Sequence, residues 1–485
     1  TRDKLFSANR IERFQNWAHD WNMSLRIQHE DATTTNSHDQ ASVAASVDRN
    51  EYESLIADDN HDAYRQMASG MWMTGNQWFS TECCAINAGG FLEDVQDTMI
   101  RMSKEYAGGV DRPVYHVRGA VGGSNTTWPG GGHTNTTKNG WSGYYSSIQP
   151  YHENFDDIND YYARNGMILR AGQAKVDVAV YLVDYVAARN ISHWTDTSLQ
   201  EAGYTWGYLN DTLMRLGNAK VSNGVLAEDG PGYKALVFNQ YASPDANSAK
   251  GTLTSSAAKK MLEYAKAGLP IIFVGEPTGV AGLSDSNKTL RTYLAALYAQ
   301  PNVHQVKNET ELTAKLKRLG IKPNLNPAQD THLLSMNRYD KAADTSYYWL
   351  YNYGINLYQQ QNVSSPTGST TQAYTRVYEK ESSCFIPKAK TNSLWDRRCI
   401  KDTGAYAYNN NPISATNPGT WLDYNGDASV KVSLLGDGVP YLLDAYSGAI
   451  TPITDYQRVG DRVELTVDLA VDDSTIIALG SPTRF

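Results

Sequence analysis

The fold is decided by two acidic segments near the start of the chain: Asp48-Arg-Asn-Glu-Tyr-Glu-Ser-Leu55 and Trp78-Phe-Ser-Thr-Glu-Cys-Cys84. In both, acidic side chains stand where an apolar strand gives way to a loop. Side chains alternate along a strand, so Glu51 and Glu53 share one face, and Glu82 shares a face with Trp78 and Ser80. Carboxylates grouped at strand ends are typical of glycosidases.

Structural roles compete with catalysis for these carboxylates. Glu82 could instead be neutralised by Arg26 or Arg118 inside the fold, because a buried carboxylate is costly unless it is paired. Glu51 and Glu53 could instead form a solvated helix N-terminus.

Helices and strands alternate around these segments. The first helix, predicted over 8–22, has apolar residues at helical spacing and leads into a strand over 24–28. Helices over 62–70 and 91–107 lead into the strand ending at Glu82 and into a strand over 112–118. This repeat predicts a TIM-type (β/α)8 barrel, of which residues 1–175 supply only the C-terminal part, because a barrel needs eight strands.

Two further domains are predicted. Residues 176–330 contain continuous apolar strands such as Val178–Val183 and Pro270–Val274, which indicate a flavodoxin-like α/β domain. Residues 331–485 contain short alternating strands such as Arg462–Asp468, which indicate an antiparallel β-sandwich. The predicted fold class is therefore α/β with a partial barrel, an α/β domain and a β-sandwich.

Charge and motifs exclude several classes of protein. The 52 acidic residues outnumber the 43 Lys and Arg, and the net charge of -9 argues against nucleic-acid binding. Apolar runs fall short of the roughly 18 residues that span a bilayer. The sequence lacks G-x-S-x-G, H-E-x-x-H, a P-loop motif and Cys-x-x-Cys, which argues against the corresponding enzymes.

Sequons and cysteines predict a secreted, extracellular glycoprotein. Eight Asn-x-Ser/Thr sequons occur, at Asn22, Asn125, Asn135, Asn190, Asn210, Asn287, Asn308 and Asn362. Cys384 and Cys399 lie in a polar segment that could close as a disulfide. For the adjacent Cys83 and Cys84, we favour two buried thiols over a strained bridge between neighbours.

An ordered series of motifs resembles a known family. It comprises Leu25-Arg-Ile-Gln28, Glu51-x-Glu53-Ser54, Ser80-Thr-Glu82, Val114-Tyr-His116, Trp128-Pro-Gly130 and Asp177-Val-Ala-Val-Tyr181. The series resembles glycoside hydrolase family 106, the α-L-rhamnosidase-like enzymes. The resemblance implies an inverting hydrolase that removes terminal rhamnose, with calcium holding sugar hydroxyls.

The resemblance also implies roles for residues. Glu51 or Glu53 would be the general base, and Glu82 would lie beside the metal and the sugar. The sugar pocket would be bordered by Gln28, His29, His116, Arg118, Trp128 and Trp141. The family's general acid lies on an Asp-Ser-x-Glu-like strand end that has no counterpart here. An N-terminal segment or a second chain is therefore expected to complete the barrel and supply the acid.

Two other functions stay open on the sequence alone. One is a retaining glycosidase of different specificity, or a polysaccharide lyase, that uses Glu82 with Glu51 or Glu53. The other is a non-catalytic carbohydrate-binding protein.

Overall fold

The computed structural model describes most of the chain in separate ranges. They are residues 5–28, 39–54, 61–84, 95–116, 145, 147, 151–183, 194, 198–242, 251–282, 285–328, 333–352, 358–364, 370–376, 406–407, 429–469 and 473–481. Among these residues, no helix combines the length and apolar character that a membrane crossing requires.

The N-terminal part forms a parallel sheet of four strands in the order β1-β2-β3-β4. The strands are β1 (Arg26–Gln28), β2 (Arg49–Glu53), β3 (Phe79–Cys83) and β4 (Arg112–Tyr115). The helices between and around them are Ser7–Ile11 (π), Glu12–Asp20, Gln40–Ala44, His61–Thr74, Val95–Ala107, His152–Asn154 (3-10) and Phe155–Leu169. The predicted alternation of helices and strands is confirmed. Closure into a barrel stays a prediction.

Helix His61–Thr74 covers one face of this sheet. The Tyr64 ring packs edge-on against Tyr52 of β2, with centroids 5.0 Å apart, and lies 6.1 Å from Phe79 of β3. The helix also approaches Gln40–Ala44 closely, because a Cβ on Gly70 would collide with the carbonyl oxygen of Ala41. Since side chains alternate along a strand, the odd-numbered positions of β2, including Glu51 and Glu53, face the opposite side.

The central part forms a second parallel sheet, in the order β14-β12-β10-β6-β7. In chain order this is 2-1-3-4-5, the order of flavodoxin-like sheets. This part of the chain contains β5 (Gln173–Lys175), β6 (Val178–Tyr181), β7 (Trp206–Leu209), β8 (Val221–Ser222), β9 (Val225–Leu226), β10 (Ala235–Asn239), β11 (Thr252–Leu253), β12 (Ile271–Val274), β13 (Gly279–Val280) and β14 (Val303–Val306). Its helices are Ser198–Glu201, Leu213–Arg215 (3-10), Ser255–Lys266, Asn287–Tyr298 and Glu309–Arg318.

Capping side chains fix where three of these helices begin. Thr254, Ser286 and Asn308 adopt extended backbone conformations and accept a backbone hydrogen bond from the third residue that follows. Each cap satisfies an amide at the helix start that has no partner within the helix.

The C-terminal part is antiparallel. One sheet has the order β23-β22-β26-β17-β16-β5 and a second has the order β15-β21-β25-β24. The strands are β15 (Leu325–Pro327), β16 (Leu333–Asp340), β17 (Thr345–Asn352), β18 (Tyr358–Ser364), β19 (Thr370–Arg376), β20 (Tyr406–Ala407), β21 (Ser429–Leu435), β22 (Val439–Leu443), β23 (Ile450–Pro452), β24 (Tyr456–Val459), β25 (Arg462–Asp468) and β26 (Ser474–Gly480). Leu350, Val432, Leu465 and Ile477 share a core between these two sheets.

Strand β5 differs from its predicted place. Residues 173–175 were assigned to the barrel part, but they pair antiparallel with Asn337–Tyr339 of β16. The chain therefore contributes an edge strand to the C-terminal sheet before it enters the central sheet. The three domain boundaries stay predictions.

Asp177 joins the central and C-terminal parts. Its side chain is fully buried, bonds Lys234 Nζ at 2.8 Å, and accepts hydrogen bonds from Thr205 Oγ1 and from the backbone amide of Asn324. A second polar contact joins the first two sheets, because Asp62 accepts hydrogen bonds from Trp206 and Tyr208 of β7. Helix His61–Thr74, which covers the N-terminal sheet, is therefore hydrogen-bonded to the central sheet.

Candidate active site

Strand register places the predicted carboxylates side by side. Gln28 of β1 lies opposite Glu51 of β2, which lies opposite Ser80 of β3. Two residues further on, Glu53 lies opposite Glu82. Because neighbouring parallel strands are about 4.8 Å apart, these side chains form a continuous polar surface. We call Gln28, Glu51, Glu53, Ser80 and Glu82 the carboxylate face.

Glu51 lies deeper than predicted. It is the third residue of the five-residue β2 and is 4% exposed, whereas the sequence placed it at a strand end. One of its oxygens lies 3.1 Å from the Arg26 guanidinium and accepts a 2.6 Å hydrogen bond from Ser80. The alternative of a solvated helix N-terminus for Glu51 and Glu53 is wrong, because both belong to β2.

Glu53 and Glu82 lie at the outer edge of the carboxylate face and are both partly exposed. The Gln28 amide nitrogen donates to both, at 3.4 Å to Glu53 and 3.1 Å to Glu82. His116 Nε2 lies 3.7 Å from the other Glu82 oxygen. Pairing of Glu82 with Arg26 is not observed, since Arg26 binds Glu51.

Ser54 fixes the end of β2 to the end of β3. Its buried side chain donates a 3.0 Å hydrogen bond to the main-chain carbonyl oxygen of Glu82. A hydroxyl that follows Glu53 thus holds the backbone that carries Glu82. We expect this bond to limit movement of the two carboxylates relative to each other.

Two arginines and a tryptophan pack together beside the carboxylate face, nearer the N-terminal ends of the strands. We call Arg49, Trp78 and Arg112 the supporting layer. The guanidinium carbons of Arg49 and Arg112 lie 3.8 and 3.2 Å from the ring centroid of Trp78. Asp111 binds Arg112 and accepts a 2.6 Å hydrogen bond from the Phe79 amide. Burial raises the pKa of the Asp111 carboxyl, and Arg112 opposes this shift.

Sequence reasoning missed Ser80, Ser54 and the supporting layer as parts of the site. Arg26 was considered only as a partner of Glu82. Period-two alternation did place Ser80 on the side of Glu82, and it could also have placed Arg26 and Arg112 on the face. Only the register between strands shows which carboxylate each one contacts.

Several predicted residues lie outside the described part of the chain. They are His29, Arg118, Trp128, Trp141, Asn125, Asn135, Asn190, Cys384 and Cys399. Asn362 lies in β18. Cys83 and Cys84, which follow Glu82, are fully buried as predicted. Their sulfur atoms are in direct contact, whereas two separate thiols were expected.

Five sequons lie in described regions, counting Asn362 of β18, and one of the five does not suit a glycan. Asn22, Asn287 and Asn308 are exposed. Asn210 is 3% exposed, and its amide nitrogen donates to Asp39 and Ser42. A glycan on that nitrogen would have to displace both bonds and open the core, so modification of folded Asn210 is contradicted by its packing.

Within the described ranges, no three His, Cys, Asp or Glu side chains converge as metal ligands. The carboxylate face nevertheless offers the oxygen ligands that calcium prefers, from Glu53 and Glu82. The Gln28 side chain can add its carbonyl oxygen by rotation of the amide group, which carries both an acceptor and a donor.

Several solved structures resemble the chain. A rhamnosidase from Novosphingobium sp. PP1Y aligns with a TM-score of 0.66 at 16% identity, covering 99% of this chain and 39% of that one. Isoenzyme 2 of the alpha-L-fucosidase from Paenibacillus thiaminolyticus gives a TM-score of 0.46 at 9% identity, covering 92% and 66%. A catalytic mutant of Gan42B, a family 42 beta-galactosidase from G. stearothermophilus, gives a TM-score of 0.46 at 8% identity. The alignment covers 99% of this chain and 67% of that one.

The first likeness shows a shared fold over a chain that spans about two fifths of the Novosphingobium rhamnosidase. No curated protein matches the sequence. The profile of glycoside hydrolase family 106, described as alpha-L-rhamnosidase, matches residues 4–368, which is most of the chain. The chain therefore belongs to glycoside hydrolase family 106, the alpha-L-rhamnosidase family.

Proposed function

We propose that the protein is a secreted glycoside hydrolase that removes terminal α-L-rhamnose from plant or microbial glycans with inversion of configuration. One observation carries the proposal: Glu51, Glu53 and Glu82 lie on one face, towards the C-terminal ends of parallel strands. Catalytic side chains of barrel enzymes occupy this position. Membership of family 106 supports the choice of sugar.

Glu53 fits the general base better than Glu51. Glu51 is buried, and one of its oxygens is held by Arg26 and Ser80. A base must reach a water molecule beside the sugar, and Glu53 is the more exposed of the two. In this assignment Glu53 accepts the proton of the attacking water, and Glu51 positions β2 through its contacts with β1 and β3.

Glu82 would lie on the metal and sugar side, as the family resemblance implies. Glu82, Glu53 and Gln28 would hold a calcium ion through carboxylate and amide oxygens. When bound, the ion would offset the charge of the adjacent carboxylates and fix sugar hydroxyls. His116 Nε2, which lies 3.7 Å from Glu82, would contact the same hydroxyls.

The general acid comes from outside the described residues in this proposal. Inversion needs an acid and a base whose carboxyl groups are about 6.5–9.5 Å apart, with the attacking water beside the base. Glu53 and Glu82 each have one oxygen within hydrogen-bonding range of the same Gln28 nitrogen, so these two oxygens lie no further apart than the lower end of that range. We propose that a preceding barrel segment supplies the acid, which protonates the leaving oxygen.

The same closeness favours one second candidate. Retaining glycosidases place nucleophile and acid about 5–5.5 Å apart, a separation that Glu53 and Glu82 could satisfy. The rhamnosidase proposal does not need this pair to act together, whereas the retaining mechanism does.

A panel of aryl glycosides, assayed with the intact secreted protein with and without chelator, tests the proposal. We expect release from the α-L-rhamnoside, loss of activity on chelation and recovery with calcium. Glu53→Gln should lower kcat without restoration by excess calcium, whereas Glu82→Gln should raise the calcium concentration needed. The opposite pattern would exchange the roles of Glu53 and Glu82. If the protein hydrolyses none of the glycosides, the proposed hydrolase function is overturned.

A further inference from the structure

One tyrosine of the C-terminal part is held firmly in place and yet exposes its ring. Tyr446 lies in the turn between β22 and β23 and is 51% exposed. Its ring centroid lies 4.6 Å from that of Tyr161, a buried residue of helix Phe155–Leu169, and the two ring planes meet at 32°. Tyr161 therefore covers one side of the Tyr446 ring, and the other side faces solvent.

Hydrogen bonds fix the ring in this position. The Tyr446 hydroxyl donates to Asp473 at 3.0 Å, and the Tyr446 amide donates to Asp444 at 2.9 Å. Its carbonyl oxygen accepts a 2.7 Å hydrogen bond from the Arg164 guanidinium. The turn also lies against this guanidinium, because a Cβ on Gly448 would come within 3.0 Å of Arg164 Nε. An aromatic ring that its neighbours already hold loses little conformational freedom when it binds a ligand.

Charged side chains adjoin the ring and define the chemistry of a ligand. Arg164 bonds Asp160, whose side chain is 65% exposed, and Asp473 bonds the ring hydroxyl. An apolar ring face beside hydrogen-bonding groups suits a pyranose, which has an apolar C–H face and a rim of hydroxyls. Asp160, Asp444 and Asp473 place three carboxylates beside one guanidinium, so an acidic sugar such as a uronate would be repelled.

A protein partner fits this surface less well than a sugar. A standard protein interface buries on the order of 800 Å² on each partner, and charged residues are depleted at its centre. Tyr446 is instead flanked by Asp444, Asp473 and Arg164. The surface is therefore better suited to a small polar ligand that has one apolar face.

We propose that Tyr446 is the stacking platform of a second carbohydrate-binding site, which holds a neutral pyranose unit of a polysaccharide away from the carboxylate face. In this site the open side of the ring packs against the C–H face of the sugar, and Asp473, Arg164 and Asp160 bind its hydroxyls. The inference goes beyond the proposed function, because it requires neither rhamnose nor a particular hydrolytic mechanism. The choice of a sugar as ligand rests on membership of a glycoside hydrolase family.

Affinity electrophoresis in native gels tests the site without catalysis. Each gel contains one soluble polysaccharide, either a neutral mannan, galactan or rhamnan or the acidic polygalacturonate. We expect at least one neutral polymer to retard the wild-type protein, and Tyr446→Ala to raise the dissociation constant about 10-fold. Tyr446→Phe keeps the ring and should keep most of the retardation. The control, Tyr241→Ala, removes a 49% exposed tyrosine of the central part and should leave the retardation unchanged.

Hydroxyl-radical footprinting of the wild-type protein guards against a misfolded variant. The polymer that retards the protein should protect Tyr446 from oxidation and leave Tyr241 unprotected. Equal protection of both tyrosines, or none at Tyr446, would overturn the proposal. So would the absence of retardation by every neutral polymer, unchanged retardation of Tyr446→Ala, or retardation by polygalacturonate that depends on the ring.

The second site and the proposed function can fail separately. A protein that hydrolyses no glycoside but shows ring-dependent binding rejects the proposed function alone. A protein that releases rhamnose but shows no ring-dependent binding rejects the second site alone. In sedimentation experiments, a wild-type dimer that Tyr446→Ala dissociates would assign the ring to a contact between two copies and overturn the proposal.

Discussion

The N-terminal and central sheets are both parallel, yet their faces differ in chemistry. In the central sheet every residue of β10 and β12 is buried, and Val237 and Ile272 lie in one apolar cluster while Phe238 and Phe273 lie in another. The N-terminal sheet buries Tyr52 and Phe79 on one side and presents carboxylates on the other.

This difference suggests that the central sheet contributes stability and the N-terminal sheet carries the functional site. A sheet with apolar residues on both sides gains stability from each, as expected for strands covered by helices on both faces. The carboxylate face gives up that gain and gathers like charges at one edge. Proteins break such local rules mainly at functional sites.

The largest test of this contrast concerns Glu53. We expect Glu53→Gln to lower kcat about 10²–10⁴-fold, the usual contribution of general base catalysis. Glu464→Gln, which alters a strand carboxylate beside Lys431 in the C-terminal sheet, is the control and should keep full activity. Steady-state kinetics on an aryl rhamnoside measures both. Comparable rates for Glu53→Gln and wild type would mean that the N-terminal sheet differs from the central sheet in side chains but not in catalytic role.

The central sheet should show the reverse behaviour. Ile272 is fully buried, so Ile272→Ala should lower the free energy of unfolding by about 2–5 kcal/mol. Activity per folded molecule should stay unchanged, because Ile272 packs in an apolar cluster of the central part. Urea unfolding with parallel kinetics checks this. A fall in kcat at constant folded fraction would show that the central sheet has more than a supporting role.

A contact between helix His61–Thr74 and helix Ser198–Glu201 predicts a pH dependence. Burial lowers the pKa of His61, which bonds Gln200 at 3.0 Å, to about 3. The unfolded chain therefore binds more protons than the folded one below pH 6.5, and stability falls as the pH decreases from about 6.5 towards 3.

We expect the free energy of unfolding to fall by roughly 1–2 kcal/mol between pH 6.5 and 5. This value is below what a fully buried ring would give, because the His61 ring keeps some solvent contact. His61→Gln should flatten the dependence of unfolding free energy on pH in this window. An unchanged slope in the variant would place the acid sensitivity elsewhere.

Arg26 tests whether Glu51 supports or catalyses. Arg26→Met leaves the buried Glu51 carboxylate with Ser80 but without its cation, and Arg26 itself is 48% exposed at the side chain. We expect a loss of about 1–2 kcal/mol, below the cost of breaking a fully buried pair. Adding Glu51→Gln should recover part of it in a double-mutant cycle. Additive losses would mean that the two side chains do not interact.

The smallest expected effect concerns Ser54. Ser54→Ala removes the hydrogen bond to the Glu82 carbonyl and should cost about 1 kcal/mol of stability. The kcat should fall several-fold because Glu53 and Glu82 are held less firmly. Ser54→Thr keeps the hydroxyl and should restore kcat. Ser474→Ala is the control and should leave kcat unchanged. It removes a buried hydroxyl of the C-terminal sheet that bonds Tyr161.

Local patterns predicted the elements and some of the site. Period-two alternation placed Glu51 with Glu53, and apolar runs located β6 and β12, because both signals lie within one segment. The ion pair of Arg26 with Glu51 and the bridge from Gln28 depend on register between distant strands. Strand β5 was missed because three residues give too short a pattern, and its pairing partner lies more than 160 residues away.

Proton NMR of the first product formed from an aryl α-L-rhamnoside tests the central claim most directly. The account predicts that the intact protein releases β-L-rhamnose first and that Glu53→Gln releases almost none in the same time. If α-L-rhamnose appears first, Glu53 and Glu82 act as a retaining pair. Equal release by wild type and Glu53→Gln would contradict the assignment of the carboxylate face as the active site.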